Sequence, residues 1–292
     1  MPDFRYLQLD VFGARPGGGN ALGVVIDAAT WNDAEMQAFA AWTDLVETTF
    51  VLPPSTRDAS YRLRIFTPSR EIPFAGHPSI GSAHAVLETG YAAATGGRLV
   101  QECGAGLLPI RVEGDRDARN LFLQAPAARV ISEGPPAGSM LESVLRGVAL
   151  GALPPAFVEG GRRWWIAEFA DEPSLRAWQP DHAAIGALAA DTESLGLCAF
   201  ARSSTAEYDL VVRAFPAGVG IVEDPASGAA NGLIAAWIAK AEPRGPLAAG
   251  YRVSQGREIG HDASIQVRIE RERIWVGGKA RTIIDGRTRW PV

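Results

Sequence analysis

Three ionisable residues carry most of the chemistry that this sequence offers: Glu47, His77 and Asp224. His77 and Asp224 each stand directly before a proline, each follows an apolar, strand-like run, and each leads into a small-residue segment. The two stretches are Phe74-Ala75-Gly76-His77-Pro78-Ser79-Ile80-Gly81-Ser82-Ala83 and Glu223-Asp224-Pro225-Ala226-Ser227-Gly228-Ala229-Ala230-Asn231. Both small-residue segments read as the first turn of a helix, and the proline biases the residue before it to an extended backbone. A helix start presents unpaired backbone N–H groups and a positive dipole end, which suits a carboxylate or another anion. Glu47 enters the apolar run Thr48-Thr49-Phe50-Val51-Leu52; a carboxyl group in a closed apolar pocket can take and return a proton near neutral pH. Each residue also has a plainer reading: a solvated strand end for Glu47, a backbone-bonded loop histidine for His77, a helix N-cap for Asp224. Taken jointly, one helix start per half of the chain predicts a single active site between two similar domains.

Other catalytic constellations are missing from the sequence. No Gly-x-Ser-x-Gly elbow surrounds a serine, so Ser79, Ser82 and Ser227 read as caps or hydroxyl donors. The two cysteines, Cys103 and Cys198, lack a second thiol or a histidine at ligand spacing, and the four histidines are scattered. A disulfide framework or a metal site is not expected. Gly104-Ala105-Gly106 lacks the third glycine of a dinucleotide fingerprint, and Pro109 follows where that fingerprint needs a helix.

The elements that must position these groups come next. The chain has 292 residues, 47% hydrophobic and 21% charged, enough for two domains. A net charge of −5 with no basic stripe argues against nucleic acid and anionic membrane as partners. The start Met1-Pro2-Asp3-Phe4-Arg5 has no apolar signal core and no later run is long enough to cross a bilayer, so a cytoplasmic location is the default expectation. Strands are expected at Tyr6 to Phe12, Leu22 to Ile26, Thr48 to Leu52 and Tyr61 to Phe66, with a hairpin from Leu107 to Val112 and Asn120 to Gln124. Asn32 with Glu35 is a capping box opening a helix whose buried face holds Met36, Phe39, Ala40 and Trp42. Pro78 at a first helical position and Gly90 past the last turn bracket a second helix.

A Pro/Gly-rich stretch from Ala125 to Gly138 is the expected domain boundary, giving domains 1–125 and 126–292, with the option that the last strands cross back to the first. In the second half, helices are expected near Ser139 to Val148, Pro180 to Ala190 and Ser227 to Ala241. Strands are expected at Trp164 to Ala167, Leu197 to Phe200, Tyr208 to Arg213, Ala263 to Ile269 and Arg273 to Val276. Trp164, Trp165, Trp178 and Trp237 read as core or interface residues. Many short strands with a few helices, not alternating strictly, predict an α+β fold with strands wrapped about a helix in each half.

At this point the motifs resemble a known family. Asp10-Val11-Phe12 with Gly18-Gly19-Asn20, Glu47-Thr48-Thr49-Phe50-Val51-Leu52-Pro53, Arg64-Ile65-Phe66-Thr67-Pro68, Pro73-Phe74-Ala75-Gly76-His77-Pro78 and Glu223-Asp224-Pro225-Ala226-Ser227-Gly228 match, in order, the PhzF-like phenazine-biosynthesis isomerases. The resemblance implies a diaminopimelate-epimerase-like fold: two pseudo-symmetric domains, each a curled, mostly antiparallel sheet around a central helix. It implies Glu47 as the general acid/base that moves a proton between carbons of a small carboxylated substrate, with His77 and Asp224 lining the pocket. It places Asn20, Gly76, Ser79, Ile80, Gly81, Ser227, Gly228, Ala229 and Ala230 at the substrate. It implies a homodimer and neither organic cofactor nor metal. Three departures from the family stand out: Ala229 where a serine is common, Arg213-Ala214-Phe215-Pro216 as an altered arginine–phenylalanine stretch, and Gly260-His261-Asp262 where a Gly-Arg-Pro turn is frequent. Two alternatives stay open, a non-catalytic small-molecule-binding member of the fold and an amino-acid epimerase working through Cys103 and Cys198.

Overall fold

The computed structural model describes residues 3–135 and 138–290, so Pro136 and Ala137 of the boundary stretch, and Met1 and Pro2 of the start, lie outside the described residues. The chain divides into two compact units, Met1–Gln124 with Gly277–Val292, and Ala125–Val276. Unit 1 begins with β1 (Phe4–Val11), β2 (Asn20–Ile26), α1 (Asp33–Thr43), β3 (Glu47–Leu52), β4 (Tyr61–Phe66), β5 (Glu71–Ile72), α2 (Gly76–Thr89), β6 (Arg98–Cys103), β7 (Gly106–Glu113) and β8 (Asn120–Gln124). Unit 2 holds β9 (Arg129–Glu133), α3 (Met140–Val144), β10 (Ala156–Gly160), β11 (Arg162–Glu168), α4 (Glu172–Ala177), α5 (His182–Asp191), β12 (Leu197–Arg202), β13 (Leu210–Phe215), α6 (Gly228–Ala241), β14 (Gly250–Gln255) and β15 (Ala263–Glu270). β16 (Arg273–Gly278) leads out of it, and β17 (Ala280–Thr288) belongs to unit 1.

Strand pairing repeats between the units. Unit 1 runs β17–β1–β2–β3–β4–β6–β7–β8, antiparallel except at β2–β3 and β4–β6. Unit 2 runs β9–β10–β11–β12–β13–β14–β15, antiparallel except at β11–β12 and β13–β14. The parallel pairs fall at the same places because a helix follows β2, β4, β11 and β13, and parallel neighbours need such a crossover. Each unit wraps its strands around one 14-residue helix. α2 packs on β1, β2, β3, β4, β6, β8 and β17, and α6 on β9, β10, β11 and β15. A helix enclosed this way is buried nearly all round, which explains the small residues Gly76, Ser79, Gly81, Ser82 and Ala83 along α2. At Gly81 a Cβ would lie 2.5 Å from Leu22 Cδ2 and 2.8 Å from Val11 Cγ2, so only glycine lets α2 sit this close to the sheet.

Some expectations need correction. Trp42 is not on the buried face of α1: it is 71% exposed and stacks on Trp290, with 6.2 Å between ring centroids, while Met36, Phe39 and Ala40 are buried as the helical spacing requires. The Ser139 to Val148 helix shrinks to Met140–Val144, stopped before Gly147, whose φ of +78° leaves the helical region. Tyr208 and Asp209 precede β13 and form no part of it. Among the described residues no helix is long and apolar enough to cross a membrane.

Candidate functional site

Glu47 is the first residue of β3, paired in parallel register with Leu22, and His77 lies in the first turn of α2. Glu47 Oε2 stands 3.3 Å from His77 Nε2, and both residues are buried. The backbone at His77 differs from the expectation. The helix starts two residues earlier, at Gly76, with extended Ala75 as its N-cap, so Pro78 is the third helical residue and His77 is helical. This costs no hydrogen bond, because the first three amides of a helix have no partner inside it. Burial pushes the His77 imidazole down from its ordinary 6.5 to about 3, against an opposing hydrogen bond to the Ala21 backbone. The ring is therefore neutral at physiological pH and gives Glu47 no counter-charge.

Neighbouring residues fix this arrangement. Asp10 accepts hydrogen bonds from the amides of Gly17 (2.9 Å) and Gly19 (2.6 Å), which folds the glycine loop back so that buried Asn20 opens β2. Behind the pair, Thr49 Oγ1 meets Ser82 Oγ at 2.8 Å and donates to Gly23 O at 3.2 Å, tying β3 to α2 and β2. Ser79, Ile80 and Gly81 are packed inside the unit. The Ser79 amide bonds Ala75 O, its hydroxyl also donates to Ala75 O, and it accepts from Gln101 Nε2. The amides outside the helical ladder at this end are those of Gly76 and His77.

In unit 2, α6 starts at Gly228 with Ser227 as N-cap, its hydroxyl accepting from the Ala230 amide. Asp224 is therefore not the cap. It sits three residues ahead, where its Oδ1 accepts from the Ala226 amide at 3.1 Å in an Asx turn and its own amide bonds Ala214 O at 2.8 Å. Burial holds the Asp224 carboxyl above the usual carboxylate range, opposed by the Ala226 and Ser227 hydrogen bonds and by the charge of His261. Gly228 and Ala229 are the two amides left outside the ladder here, and Ala230 is engaged by the cap. Asp224 and His77 thus occupy different places relative to their helices.

The loop carrying Asp224 is anchored by Glu223, whose carboxylate forms a bidentate pair with Arg213: Nε to Oε1 at 3.0 Å and Nη2 to Oε2 at 2.8 Å. Arg213 Nη1 also donates to Trp178 O and Leu175 O. Sequence reasoning assigned Glu223 no partner; an acidic residue on the run that follows an arginine-bearing strand was the available signal. Gln101 and Gln255 were missed altogether. Both are fully buried, and each bonds to the start of its unit's central helix. The alternative thiol chemistry finds no support at Cys198: burial and the charge of Asp224 push that thiol well up, the opposite of a reactive thiolate. Among the described residues no group of three or more His, Cys, Asp or Glu gathers as a metal would need.

Comparison with known proteins adds to this geometry. The family model described as phenazine biosynthesis-like protein matches residues 9–286. The chain is 31% identical over 290 residues to trans-2,3-dihydro-3-hydroxyanthranilate isomerase of Pseudomonas aeruginosa, with 97% of this chain and 98% of that protein covered. It is 30% identical to antisense-enhancing sequence 1 of Schizosaccharomyces pombe over 99% of both. The structure resembles that of a Bacillus anthracis phenazine biosynthesis protein of the PhzF family, with a TM-score of 0.84, 24% identity and 99% of each chain covered. The α+β, epimerase-like fold expected from the sequence is the one these structural likenesses show.

Proposed function

This chain belongs to the phenazine biosynthesis-like protein family, and on that premise we propose that it is an isomerase in which Glu47 moves a proton between carbons of a small carboxylated metabolite. The observation that carries this reading is the buried Glu47–His77 contact at the start of α2. Deprotonation of a carbon acid is speeded by a base held within reach and shielded from water, and a carboxyl group in such a place can return the same proton to another carbon. His77 is uncharged, so it stands 3.3 Å from Glu47 without locking it into an ion pair. The amides of Gly76 and His77 offer donors for a substrate oxygen whose charge grows as the C–H bond breaks. Within unit 2, Asp224, with its carboxyl biased toward the protonated form, is the candidate acidic group, and the Gly228 and Ala229 amides beside it suit an anion. This chemistry asks for no organic cofactor and no metal.

Replacing Glu47 with Gln keeps size and hydrogen-bonding shape while removing the base. Turnover of a dihydro-hydroxyanthranilate-type carboxylate, and deuterium uptake from heavy water into it, should fall at least about a thousandfold with the fold intact by circular dichroism. Full turnover in E47Q would end the assignment. Ala229 favours a second reading, because its exposed methyl provides no hydroxyl at the unit 2 helix start. A carboxylate that binds the native protein yet takes up no deuterium would favour ligand holding without turnover.

A further inference from the structure

The two central helices begin in the same hydrogen-bonded frame, although the residues that build it differ. In α2 the fourth helical residue is Ser79. Its hydroxyl donates to the N-cap carbonyl, Ala75 O, at 2.9 Å and accepts from Gln101 Nε2 at 2.9 Å, while Gln101 Oε1 accepts from Tyr61 Oη at 3.0 Å. In α6 the fourth helical residue is Asn231. Its Nδ2 donates to the N-cap carbonyl, Ser227 O, at 2.8 Å and to Gln255 Oε1 at 3.0 Å. Gln255 Oε1 also accepts from the Ser227 amide at 3.3 Å, and its Nε2 donates to Asp224 O at 2.8 Å. Both glutamines are fully buried, and both come from the strand that follows the helix, β6 in one unit and β14 in the other. An amide buried without water needs every donor and acceptor met, so a glutamine at these places is strongly directional.

We propose that Gln101 and Gln255 are positioning residues: Gln101 sets the backbone turn that presents His77 to Glu47, and Gln255 sets the turn that carries Asp224. The proposal rests on the acid–base reading of Glu47, His77 and Asp224. Neither glutamine touches a reacting side chain: Gln101 acts through the Ser79 hydroxyl that holds the N-cap carbonyl, and Gln255 through the Asn231 side chain and the backbone of Ser227 and Asp224. A hydrogen-bonded core glutamine with a purely structural duty would lower stability when replaced and leave the chemistry of any folded protein unchanged.

The test uses the full chain with Gln101→Met, which keeps volume and removes the amide, and Tyr61→Phe, which removes one hydroxyl and keeps the fold if the first variant does not. Two readouts are taken. The first is the 15N NMR titration of the His77 ring, which needs no substrate. Its midpoint should rise by at least one unit from its low value as water reaches the loosened turn. The second is turnover, with kcat falling at least tenfold at little change in KM for Q101M, and a smaller fall for Y61F. For Gln255→Met, kcat should fall at least tenfold with the His77 titration unmoved. An unshifted His77 midpoint in both unit 1 variants, or unchanged kcat in folded Q101M and Q255M, overturns the proposal. If the native protein turns over no carboxylate, the acid–base reading fails, while the His77 titration still decides whether Gln101 holds the turn.

Discussion

Arg64 in unit 1 and Arg213 in unit 2 hold matching places: each is the fourth residue of a strand, β4 or β13, that runs into the segment before a central helix. Each guanidinium lies over the phenylalanine two residues on, at 5.1 Å for Phe66 and 5.2 Å for Phe215. Each makes a bidentate pair with a later glutamate, Glu71 or Glu223. The scaffold is therefore repeated down to side-chain pairs, but the chemistry is not. The first residue of β3 is Glu47 where β12 begins with Leu197, and the second residue of α2 is His77 where α6 has Ala229. One unit keeps a carboxyl side chain and an imidazole on the repeated frame. The other keeps small groups there and places its carboxyl on the segment ahead of the helix. The difference teaches that the frame specifies where the residues at a helix start stand, and single positions on it decide which side chains are displayed there.

The largest expected contrast is in pH dependence. The folded-state pKa of His77 lies near 3, below its unfolded value of 6.5. Between these pH values the unfolded chain binds a proton that the folded chain refuses, so stability falls as pH drops from about 6.5 toward 3, by up to about 4–5 kcal/mol from this residue. Asp224 acts in the opposite sense. Its folded pKa is raised, so its contribution favours the folded state in acid and is lost as pH rises through the folded value. Urea unfolding at pH 7 and pH 4 should show a flatter acid limb for His77→Gln than for the native protein. Asp224→Asn should be more stable than native at pH 7, an advantage that shrinks in acid. An acid limb in H77Q as steep as that of the native protein would show that His77 is not held neutral.

Next in size is the arginine pair. Arg213 and Glu223 are 5% and 3% exposed, whereas Arg64 and Glu71 are 15% and 43% exposed. Removing one partner of a buried pair strands the other charge, at about 3–5 kcal/mol. An exposed pair contributes about 0–1 kcal/mol, screened further by salt. Arg213→Met should therefore cost several times more than Arg64→Met by chemical denaturation, and Glu223→Leu in the R213M background should recover much of the loss. Equal costs would mean that the two units share one energetic design as well as one topology.

Much of this was legible beforehand, for physical reasons that differ by element. The α1 start was legible because the Asn32–Glu35 capping box is a local device, and both of its hydrogen bonds form. Glu47, His77 and Asp224 stood out because ionisable residues beside apolar runs and prolines are conspicuous. The His77 backbone was misread because the proline rule is a bias, and the first turn of a helix tolerates proline without loss of a bond. The full burial of Gln101 in β6 and Gln255 in β14 was not legible, because their polarity is met only by groups far away in sequence: Tyr61 and Ser79 for Gln101, Asp224, Ser227 and Asn231 for Gln255. Trp42 was misplaced because periodicity gives a face and not its coverage; it lies at the rim of that face against Trp290, 248 positions later in the chain.

The smallest contrast concerns how closely each central helix approaches its sheet. In unit 1 the helix supplies the glycine, Gly81, and the strand supplies the leucine, Leu22; a Cβ at Gly81 would lie 2.5 Å from Leu22 Cδ2. In unit 2 the roles exchange. The strand supplies Gly160 and the helix supplies Leu233, the residue at the same helical position as Gly81, and a Cβ at Gly160 would lie 2.6 Å from Leu233 Cδ2. Helix propensity alone would make Gly81→Ala stabilising by about 1 kcal/mol, and overpacking reverses that sign. G81A and G160A should each lower stability by about 1–3 kcal/mol. The cause is contact with one side chain, so the cost of each should shrink when that side chain is already shortened, Leu22→Val for G81A and Leu233→Val for G160A. Strict additivity in both double-mutant cycles would place the strain in the backbone and not in these two leucines.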